Sequence, residues 1–331
     1  MNKVLITGGA GFIGLSLARK LLEKGYKVDL VDNFSRAVKD DDLKEIEKNE
    51  NISLKEINLL EASQVSTLSK DYFSIFHLAA IIGVQHVLNN PFLVLKDNIT
   101  MLLNIIDLAC KQNDNFSRLL FASTSEVYAG TLKEFDMKIP TPESTPLATG
   151  EISDARSSYM LSKIYGEALC HHSKLPITLF RPHNIYGPRM GMSHVIPEQF
   201  YNIYKSKEND EIDVCSVNHT RSFCYIDDAV EMLYLMMINK KCLGKTLNIG
   251  TQKSEITIQK LVEFCIKITH KEITINPINK NTGSPHRRCP DMTETIDLIN
   301  FESAIGLEEG LNKTYLWYKD NIFSKRKSGA V

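Results

Sequence analysis

The chain has 331 residues, of which 43% are hydrophobic and 24% charged, and its 39 basic residues nearly balance 40 acidic ones. These proportions exclude collagen-like, disordered and disulfide-scaffold proteins, and a net charge of −1 gives no field that would attract nucleic acid or an acidic membrane. Seven scattered cysteines without a C-x-x-C pair predict reduced thiols. Because no apolar run reaches the ~18–20 residues of a membrane span, we expect a soluble, cytoplasmic protein with no membrane or nucleic-acid partner.

The first half of the chain alternates short apolar runs with amphipathic helical segments. Apolar residues recur at helical spacing in Phe12–Lys24 and again in Phe92–Lys111. The strand-like runs are Lys3–Thr7, Lys27–Asp32, Ile52–Ile57, Ser74–Leu78, Arg118–Ser123 and Pro176–Arg181. This alternation predicts βαβ units, and hence an α/β fold with a Rossmann-type, doubly wound parallel sheet.

The pattern changes near residue 185. The strands become isolated, at Ile212–Cys215, Thr246–Ile249 and Ile273–Ile275, and the loops are richer in Asn, Pro and Ser. We therefore expect a smaller C-terminal α/β lobe packed on the first. The predicted division is a cofactor-binding domain over residues 1–180 and a substrate-binding lobe over residues 181–331, interleaved with the first.

A glycine-rich motif joins the first predicted strand to the first predicted helix. The G-x-G-x-x-G spacing falls on Gly9, Gly11 and Gly14. In a strand–turn–helix setting these glycines permit a tight turn, and the helix offers its free N–H groups to a dinucleotide diphosphate. Asp32 ends the second strand, where a carboxylate accepts hydrogen bonds from ribose hydroxyls and repels a 2′-phosphate. The motif therefore favours NAD over NADP, although Arg36 could compensate such a phosphate.

A tyrosine and a lysine lie four residues apart in a helical stretch, at Tyr159 and Lys163. This spacing places both side chains on one face of the helix. A nearby ammonium favours the phenolate and lowers the pKa of the tyrosine. The pair therefore predicts a general base that takes a proton from an alcohol or sugar hydroxyl as hydride leaves for a nicotinamide.

Six motifs occur in order along the chain. They are residues 7–14, His77–Ala80, Ser123–Tyr128, Tyr159–Lys163, Arg181–Pro188 and Arg221–Asp228. Over roughly residues 3–320 the chain resembles the extended short-chain dehydrogenase/reductases that act on nucleotide sugars: 4-epimerases, 4,6-dehydratases and uronate decarboxylases. The resemblance implies NAD as cofactor, a nucleoside-diphosphate sugar as substrate, and a homodimer that pairs two helices of each subunit.

The resemblance also implies roles for particular residues. Tyr159 is the base, Lys163 binds the nicotinamide ribose, and Thr124 or Ser125 binds the reacting hydroxyl. The substrate diphosphate would face Asn184, Arg221 and Arg288. The cofactor would contact Gly8, Gly11, Phe12, Ile13, Gly14, Asp32, Asn33, Asn58, Leu59, Leu78, Ala79, Ala80, Asn98, Ser123, Tyr159 and Lys163. No metal is expected, because no His, Cys or carboxylate set has ligand spacing.

The reaction itself depends on groups near the sugar. All relatives oxidise C4 first, and a 4-epimerase then only returns the hydride to the turned 4-keto sugar, which is the reaction we favour. Glu126 keeps the alternatives open, because a buried carboxylate there could act as general base at C5 in a dehydratase or serve a UDP-glucuronate-type decarboxylase. A non-catalytic NAD-binding regulatory protein is the alternative from another class. His183 departs from the apolar or aromatic residue usual at its position, and we expect it in the pocket wall.

Overall fold

The computed structural model of the chain describes residues 1–253, 255–278 and 285–325. Its strands are β1 (Lys3–Thr7), β2 (Lys27–Asp32), β3 (Ile52–Glu56), β4 (Tyr72–His77), β5 (Arg118–Ala122), β6 (Ile177–Pro182), β7 (Ile185–Tyr186), β8 (Glu211–Cys215), β9 (Thr220–Arg221), β10 (Cys224–Tyr225), β11 (Thr246–Ile249), β12 (Ile256–Thr257), β13 (Thr274–Ile278) and β14 (Arg287–Arg288). Its helices are α1 (Phe12–Glu23), α2 (Asp41–Ile46), α3 (Ala62–Val65), α4 (Val84–Asn89), α5 (Pro91–Ala109), α6 (Ala129–Glu134), α7 (Ser157–His172), α8 (Val195–Lys205), α9 (Ile226–Ile238), α10 (Ile258–Thr269), α11 (Thr293–Ile299) and α12 (Leu307–Tyr318).

Seven parallel strands form the main sheet in the order β11-β6-β5-β4-β1-β2-β3. Val4, Leu5 and Ile6 of the central strand are completely buried because helices cover both faces of the sheet. The predicted Rossmann-type α/β fold is therefore confirmed. The strand order reverses beside β1, between β2 and β4, and ligands of such sheets bind outside the carboxyl ends of the strands at this reversal.

One of the three strands predicted for the C-terminal lobe lies in the main sheet instead. Thr246–Ile249, as β11, extends the main sheet beside β6, with Leu247 opposite Phe180. A strand buried on both faces shows no polar alternation, so its sequence does not reveal its partner. The other two isolated strands lie outside the main sheet, where β8 and β13 pair in parallel.

Close packing of α7 on the sheet sets the position of its side chains. A Cβ atom added to Gly166 would lie 2.6 Å from the ring of Phe121 on β5. The glycine therefore allows the helix to approach β5 more closely than a side chain would. Helix α5 packs along α7 on the same face of the sheet. None of the helices in the described ranges has both the length and the apolar composition of a membrane span.

A buried ion pair connects α7 to two neighbouring strands. The guanidinium of Arg181 on β6 donates to both carboxylate oxygens of Glu167 on α7, at 2.8 and 2.6 Å. The hydroxyl of Ser123, just beyond β5, donates to the same carboxylate at 2.5 Å. All three residues are at most 6% exposed, so these bonds are shielded from water and fix α7 against the sheet.

Replacing Glu167 with Ala should lower the free energy of unfolding by about 3–5 kcal/mol, because the Arg181 guanidinium would stay buried without its counter-charge. Chemical denaturation measures the change. The control is Glu263→Ala, which removes an exposed helix-surface pair with Lys260 and should change stability by less than about 0.5 kcal/mol. Equal losses in the two variants would contradict this account.

Candidate active site

The glycine loop between β1 and α1 is closed by contacts that only glycine allows. Gly8 has a φ of +67°, and a Cβ atom there would lie 2.9 Å from the backbone nitrogen of Ala79. A Cβ atom on Gly14 would overlap the carbonyl oxygen of Gly8 and lie 2.8 Å from the Cα of Gly9. The loop, the first turn of α1 and the segment after β4 therefore meet at the strand-order reversal of the sheet.

The start of α1 suits an anionic group. No side chain caps the helix, and its first turn contains no acidic residue. The N–H groups of that turn and the positive end of the helix dipole therefore face a cradle of backbone with no side chain to fill it. This arrangement fits the diphosphate of a dinucleotide, and it brings together the predicted residues Gly8, Gly11, Phe12, Ile13 and Gly14.

Asp32, predicted to bind the adenosine ribose, also orders the loops around it. Its two carboxylate oxygens accept hydrogen bonds from the backbone N–H groups of Ala10 at 3.2 Å and Phe34 at 3.0 Å. Burial raises the pKa of Asp32, and these N–H groups oppose the rise. Its ribose contact stays a prediction. Asn33 is exposed, and its side-chain oxygen accepts from the Ser35 N–H at 3.1 Å.

Arg189 contributes to the same loop, and the sequence motifs gave it no role. Its guanidinium donates to the carbonyl oxygen of Ala10 at 3.1 Å and to the carboxylate of Asp40 at 2.7 Å. The side chain is 8% exposed. Arg189 follows the Gly187-Pro188 pair of a family motif, but only the folded chain shows that it reaches the loop after β1, 179 residues earlier.

The remaining predicted cofactor residues fall into two groups. Near the glycine loop, Asn98 on α5 accepts from the Ile81 N–H at 2.7 Å and donates to its carbonyl oxygen at 3.1 Å, which fixes the segment that contains Leu78, Ala79 and Ala80. After β3, Asn58 accepts from the Leu60 N–H at 3.2 Å, and Leu59 is buried. The structure thus places every one of these residues at the carboxyl ends of β1, β3 or β4, or on α5 beside them.

Tyr159 and Lys163 lie on the face of α7 that meets the end of β5. The Thr124 side chain lies close enough to Tyr159 to lower the pKa of its phenol. The Lys163 ammonium lies 5.8 Å from the centre of the Tyr159 ring and donates to the carbonyl oxygen of Ala122 at 2.8 Å. The structure therefore brings the predicted base, lysine and hydroxyl together, whereas their catalytic roles stay predictions.

The pKa of Tyr159 is raised and not lowered, contrary to the expectation from the tyrosine–lysine spacing. It is raised first by burial and then by the negative charge of Glu126, while the Thr124 side chain and the charge of Arg36 oppose the rise in the pKa. Burial lowers the pKa of Lys163 itself to about 8. The Lys163 ammonium is directed at the Ala122 carbonyl, while the charge of Arg36 favours the phenolate. Arg36 also approaches Gly83.

Glu126 was expected to be a buried carboxylate, and this is wrong. Its side chain is 44% exposed and pairs with the Arg288 guanidinium at 2.9 Å. The same guanidinium lies 3.5 Å from the hydroxyl of Ser125. Since residues 125–128 form a 3-10 turn after β5, the chain bends and carries Glu126 toward the cleft opening. Two groups predicted from separate motifs thus form one ion pair beside Ser125.

Arg221 and Asn184 hold backbone segments in place. The buried Arg221 guanidinium donates to the carbonyl oxygens of Thr220 and Pro285, both at 2.6 Å, and burial together with the charge of Arg288 lowers its pKa to about 10. Asn184, with a φ of +43°, donates from its side chain to the Ser222 carbonyl at 3.1 Å. The predicted contact of either residue with a diphosphate stays a prediction. Within the described residues no group of three or more His, Cys, Asp or Glu could hold a metal ion.

Substituting Gly14 with Ala should lower the free energy of unfolding by about 1–3 kcal/mol, because the added Cβ meets backbone that cannot move aside. The affinity for NAD, measured by calorimetry, should fall at least about tenfold. The matched control is Gly306→Ala, since a Cβ there meets no atom within 4 Å. Unchanged NAD affinity in the Gly14 variant would contradict the proposed cradle.

Replacing Lys163 with Met should stabilise the fold most at low pH. A pKa lowered from 10.5 to about 8 means that the folded chain binds this proton more weakly than the unfolded chain does. Loss of this proton therefore raises the free energy of unfolding of the wild type between pH 8 and 10.5, and the variant has no such contribution. The difference in unfolding free energy between the two proteins, measured in urea, should shrink across that interval. A difference in unfolding free energy that stays constant with pH would refute this prediction.

Comparison with known proteins supports the family predicted from the motifs. The NAD dependent epimerase/dehydratase family model matches residues 4–250. A UDP-N-acetyl-alpha-D-glucosaminuronate decarboxylase of Bacillus cytotoxicus is 32% identical over 96% of this chain and 98% of its own length. A UDP-glucuronate 4-epimerase of Thermodesulfobacterium geofontis is 31% identical over 97% of this chain and 98% of its own.

A solved structure agrees with these relatives. The UDP-glucuronic acid 4-epimerase of Bacillus cereus, in complex with UDP-glucuronic acid and NAD, matches this fold with a TM-score of 0.81 and 26% identity. The match covers 96% of this chain and 99% of that one. With its glycine loop, its tyrosine and lysine on α7 and a family match over most of its length, the chain belongs to the NAD-dependent epimerase/dehydratase family.

Proposed function

We propose that the protein is an NAD-dependent nucleotide-sugar 4-epimerase that acts through a transient 4-keto sugar. The observation that carries the proposal is that Tyr159, Lys163 and Thr124 lie together after β5: the Lys163 ammonium donates to the Ala122 carbonyl at 2.8 Å and lies 5.8 Å from the Tyr159 ring, and Thr124 lowers the pKa of the same phenol. A phenol and a hydroxyl placed together can bind and deprotonate one sugar hydroxyl. A regulatory protein that only bound NAD would have no use for this pair.

The residues of the cleft divide the proton and hydride chemistry between them. NAD, when bound, supplies the group that accepts the hydride from C4 and returns it. Tyr159 takes the proton of the C4 hydroxyl, and the Thr124 side chain and the charge of Arg36 stabilise the phenolate that this step requires. Because burial and Glu126 favour the protonated phenol, Tyr159 holds the proton until reduction of the 4-keto oxygen creates an alkoxide, which is basic enough to take it back.

A hexuronic acid is the sugar that the charges favour. The three relatives described above are named for substrates that carry a uronic acid. Arg288 is 19% exposed and is already paired with a carboxylate, that of Glu126. A C6 carboxylate of the substrate can take the place of Glu126 on the same guanidinium. We therefore propose a UDP-hexuronate as the substrate.

Dehydration requires groups that the described residues beside Tyr159 do not bring together. It needs a base for the C5 proton and an acid for the departing C6 hydroxyl. Glu126 is half-exposed and ion-paired, and its neighbour Ser125 is no acid. The geometry beside Tyr159 thus supports C4 redox chemistry without elimination of water.

Decarboxylation is a second candidate, and the Glu126–Arg288 pair favours it. A 4-keto sugar with a C6 carboxylate is a β-keto acid, so the C5–C6 electron pair can move toward the C4 carbonyl as CO₂ leaves. If Arg288 holds the C5–C6 bond perpendicular to the plane of that carbonyl, CO₂ leaves and the resulting enolate is protonated at C5; if it holds the C5–C6 bond near that plane, the sugar survives to be epimerised. The B. cytotoxicus relative is named as such a decarboxylase.

The division into a cofactor domain over residues 1–180 and an interleaved substrate lobe over residues 181–331 belongs to the same proposal. So do a cytoplasmic location and a homodimer. The homodimer is supported by apolar side chains that α5 and α7 leave in water, with Phe92 72% and Tyr165 52% exposed.

Tyr159→Phe should lower kcat by about 10²–10⁴ because the proton acceptor is lost, while NAD affinity stays unchanged. Wild type and variant would be incubated with UDP-glucuronic acid and with UDP-, GDP-, dTDP- and CDP-sugars, and the products resolved by chromatography and mass spectrometry. A product of unchanged mass is the result expected for an epimerase.

Loss of CO₂ from the product would replace epimerisation with decarboxylation, and loss of water would establish dehydration. Full activity in Tyr159→Phe would overturn the mechanism common to all three. If no nucleotide sugar is turned over and none raises the melting temperature of the wild type, the proposed enzyme function itself is wrong.

A further inference from the structure

One buried polar atom beside the site has no partner. His183 is 1% exposed, and its Nδ1 atom is closed to solvent and forms no hydrogen bond. A buried polar atom without a partner destabilises the fold and is rare in native proteins. The described part of the chain thus contains an unused hydrogen-bonding position, and its place and chemistry can be derived.

The place follows from the sheet. His183 comes directly after β6, which lies between β5 and β11. Its backbone N–H donates to the Ile249 carbonyl at 2.8 Å, and the Ser123 N–H donates to the Phe180 carbonyl at 2.8 Å. His183 therefore lies at the same edge of the sheet as Thr124 and Ser125, which follow β5.

The chemistry follows from Asn248. Its side-chain N–H groups donate to the carbonyl oxygens of Thr141 at 3.0 Å and Asp291 at 3.1 Å. Its Oδ1 is therefore the acceptor for Nε2 of His183 at 3.0 Å. With the ring proton on Nε2, the Nδ1 atom carries only a lone pair and can act only as an acceptor.

Neighbouring groups keep the ring neutral. Burial and the charges of Arg288 and Arg181 lower the pKa of His183 to about 3. The ring packs against Tyr128, whose hydroxyl accepts from Arg181 at 2.7 Å and lies 3.1 Å from Asn248 Oδ1. The tautomer is thus held by a network whose members are all buried.

We propose that His183 is a specificity-determining residue whose Nδ1 atom accepts a hydrogen bond from an O–H or N–H group of the sugar. The inference rests on the proposed function, since it requires a nucleotide sugar in this cleft. Of the two cations that act on the ring, Arg181 is fixed by Glu167, whereas Arg288 is partly exposed. We expect an anionic ligand to draw Arg288 away from Glu126, and the proposal requires that this change gives the sugar access to Nδ1.

Two substitutions separate the two nitrogen atoms of the ring. A glutamine amide can place a donor near the Nε2 position and keep the bond to Asn248, but it leaves no acceptor at Nδ1. An asparagine amide can place its oxygen near Nδ1 but cannot reach Asn248. His183→Gln thus removes the proposed contact and keeps the network, and His183→Asn does the reverse.

Calorimetric titration of the NAD-loaded proteins with UDP-glucuronic acid and with UDP alone tests the proposal. In His183→Gln the affinity for UDP-glucuronic acid should fall about tenfold, the effect of one hydrogen bond, while the affinity for UDP stays unchanged. In His183→Asn the preference for UDP-glucuronic acid over UDP should remain within about threefold of wild type. Melting temperatures report whether each variant keeps the fold.

Deoxy analogues of UDP-glucuronic acid complete a double-mutant cycle between His183 and the sugar. The analogue that lacks the recognised donor should bind the wild type about tenfold more weakly and lose nothing further in His183→Gln. Equal affinity of wild type and His183→Gln for UDP-glucuronic acid would overturn the proposal, and so would a loss shared by UDP. Failure of the wild type to bind any of the nucleotide sugars tested would instead refute the proposed function.

Discussion

The buried bond between Glu167 and Arg181 is the constraint on which the site depends. Helix α7 carries the tyrosine and lysine, β5 leads to the paired hydroxyls, and β6 leads to His183. The Glu167 carboxylate accepts from a residue of each strand, at 2.5–2.8 Å. Helix packing alone fixes a helix only approximately, whereas a bidentate ion pair fixes its position along the sheet and its rotation. The buried bond between Glu167 and Arg181 therefore sets the distance between the proposed catalytic side chains on α7 and those that follow β5.

The same polar layer continues under the proposed sugar pocket. Arg181 also donates to Tyr128, Tyr128 contacts Asn248, and Asn248 orients His183. Every member of this layer is buried and most have their hydrogen bonds satisfied, so the layer resists rearrangement. The groups above it, Glu126 and Arg288, are partly exposed and paired only with one another and with Ser125. The site thus combines a fixed floor with a charged rim that can exchange partners.

Much of the fold could be predicted from the sequence because its signals are local. Glycine spacing, buried strands and the four-residue interval between Tyr159 and Lys163 each depend on near neighbours in the chain. The place of β11 could not be predicted, because a strand buried on both faces carries no information about its neighbour. The sequence predicted which residues lie near the site better than which atoms they contact.

Contacts between distant segments account for the rest. Glu126 was expected to be buried and is paired with Arg288, 162 residues away. The pKa of Tyr159 is raised by burial and by Glu126, and the charge of Arg36 opposes the rise. The near-zero net charge of the chain is consistent with this local pairing. Only the three-dimensional arrangement determines which charges face one another across the cleft.

Arg189 has a consequence for how often the cofactor leaves. Its guanidinium joins the loop after β1 to Asp40, so it links the two segments that flank the predicted dinucleotide cradle. Separating these segments would break both bonds of a side chain that is 8% exposed, so Arg189 would oppose the exchange of a bound dinucleotide. An enzyme that returns its hydride to the same sugar regenerates the cofactor in every cycle. For such an enzyme a cofactor that rarely dissociates is no obstacle, and it works as a permanent part of the protein.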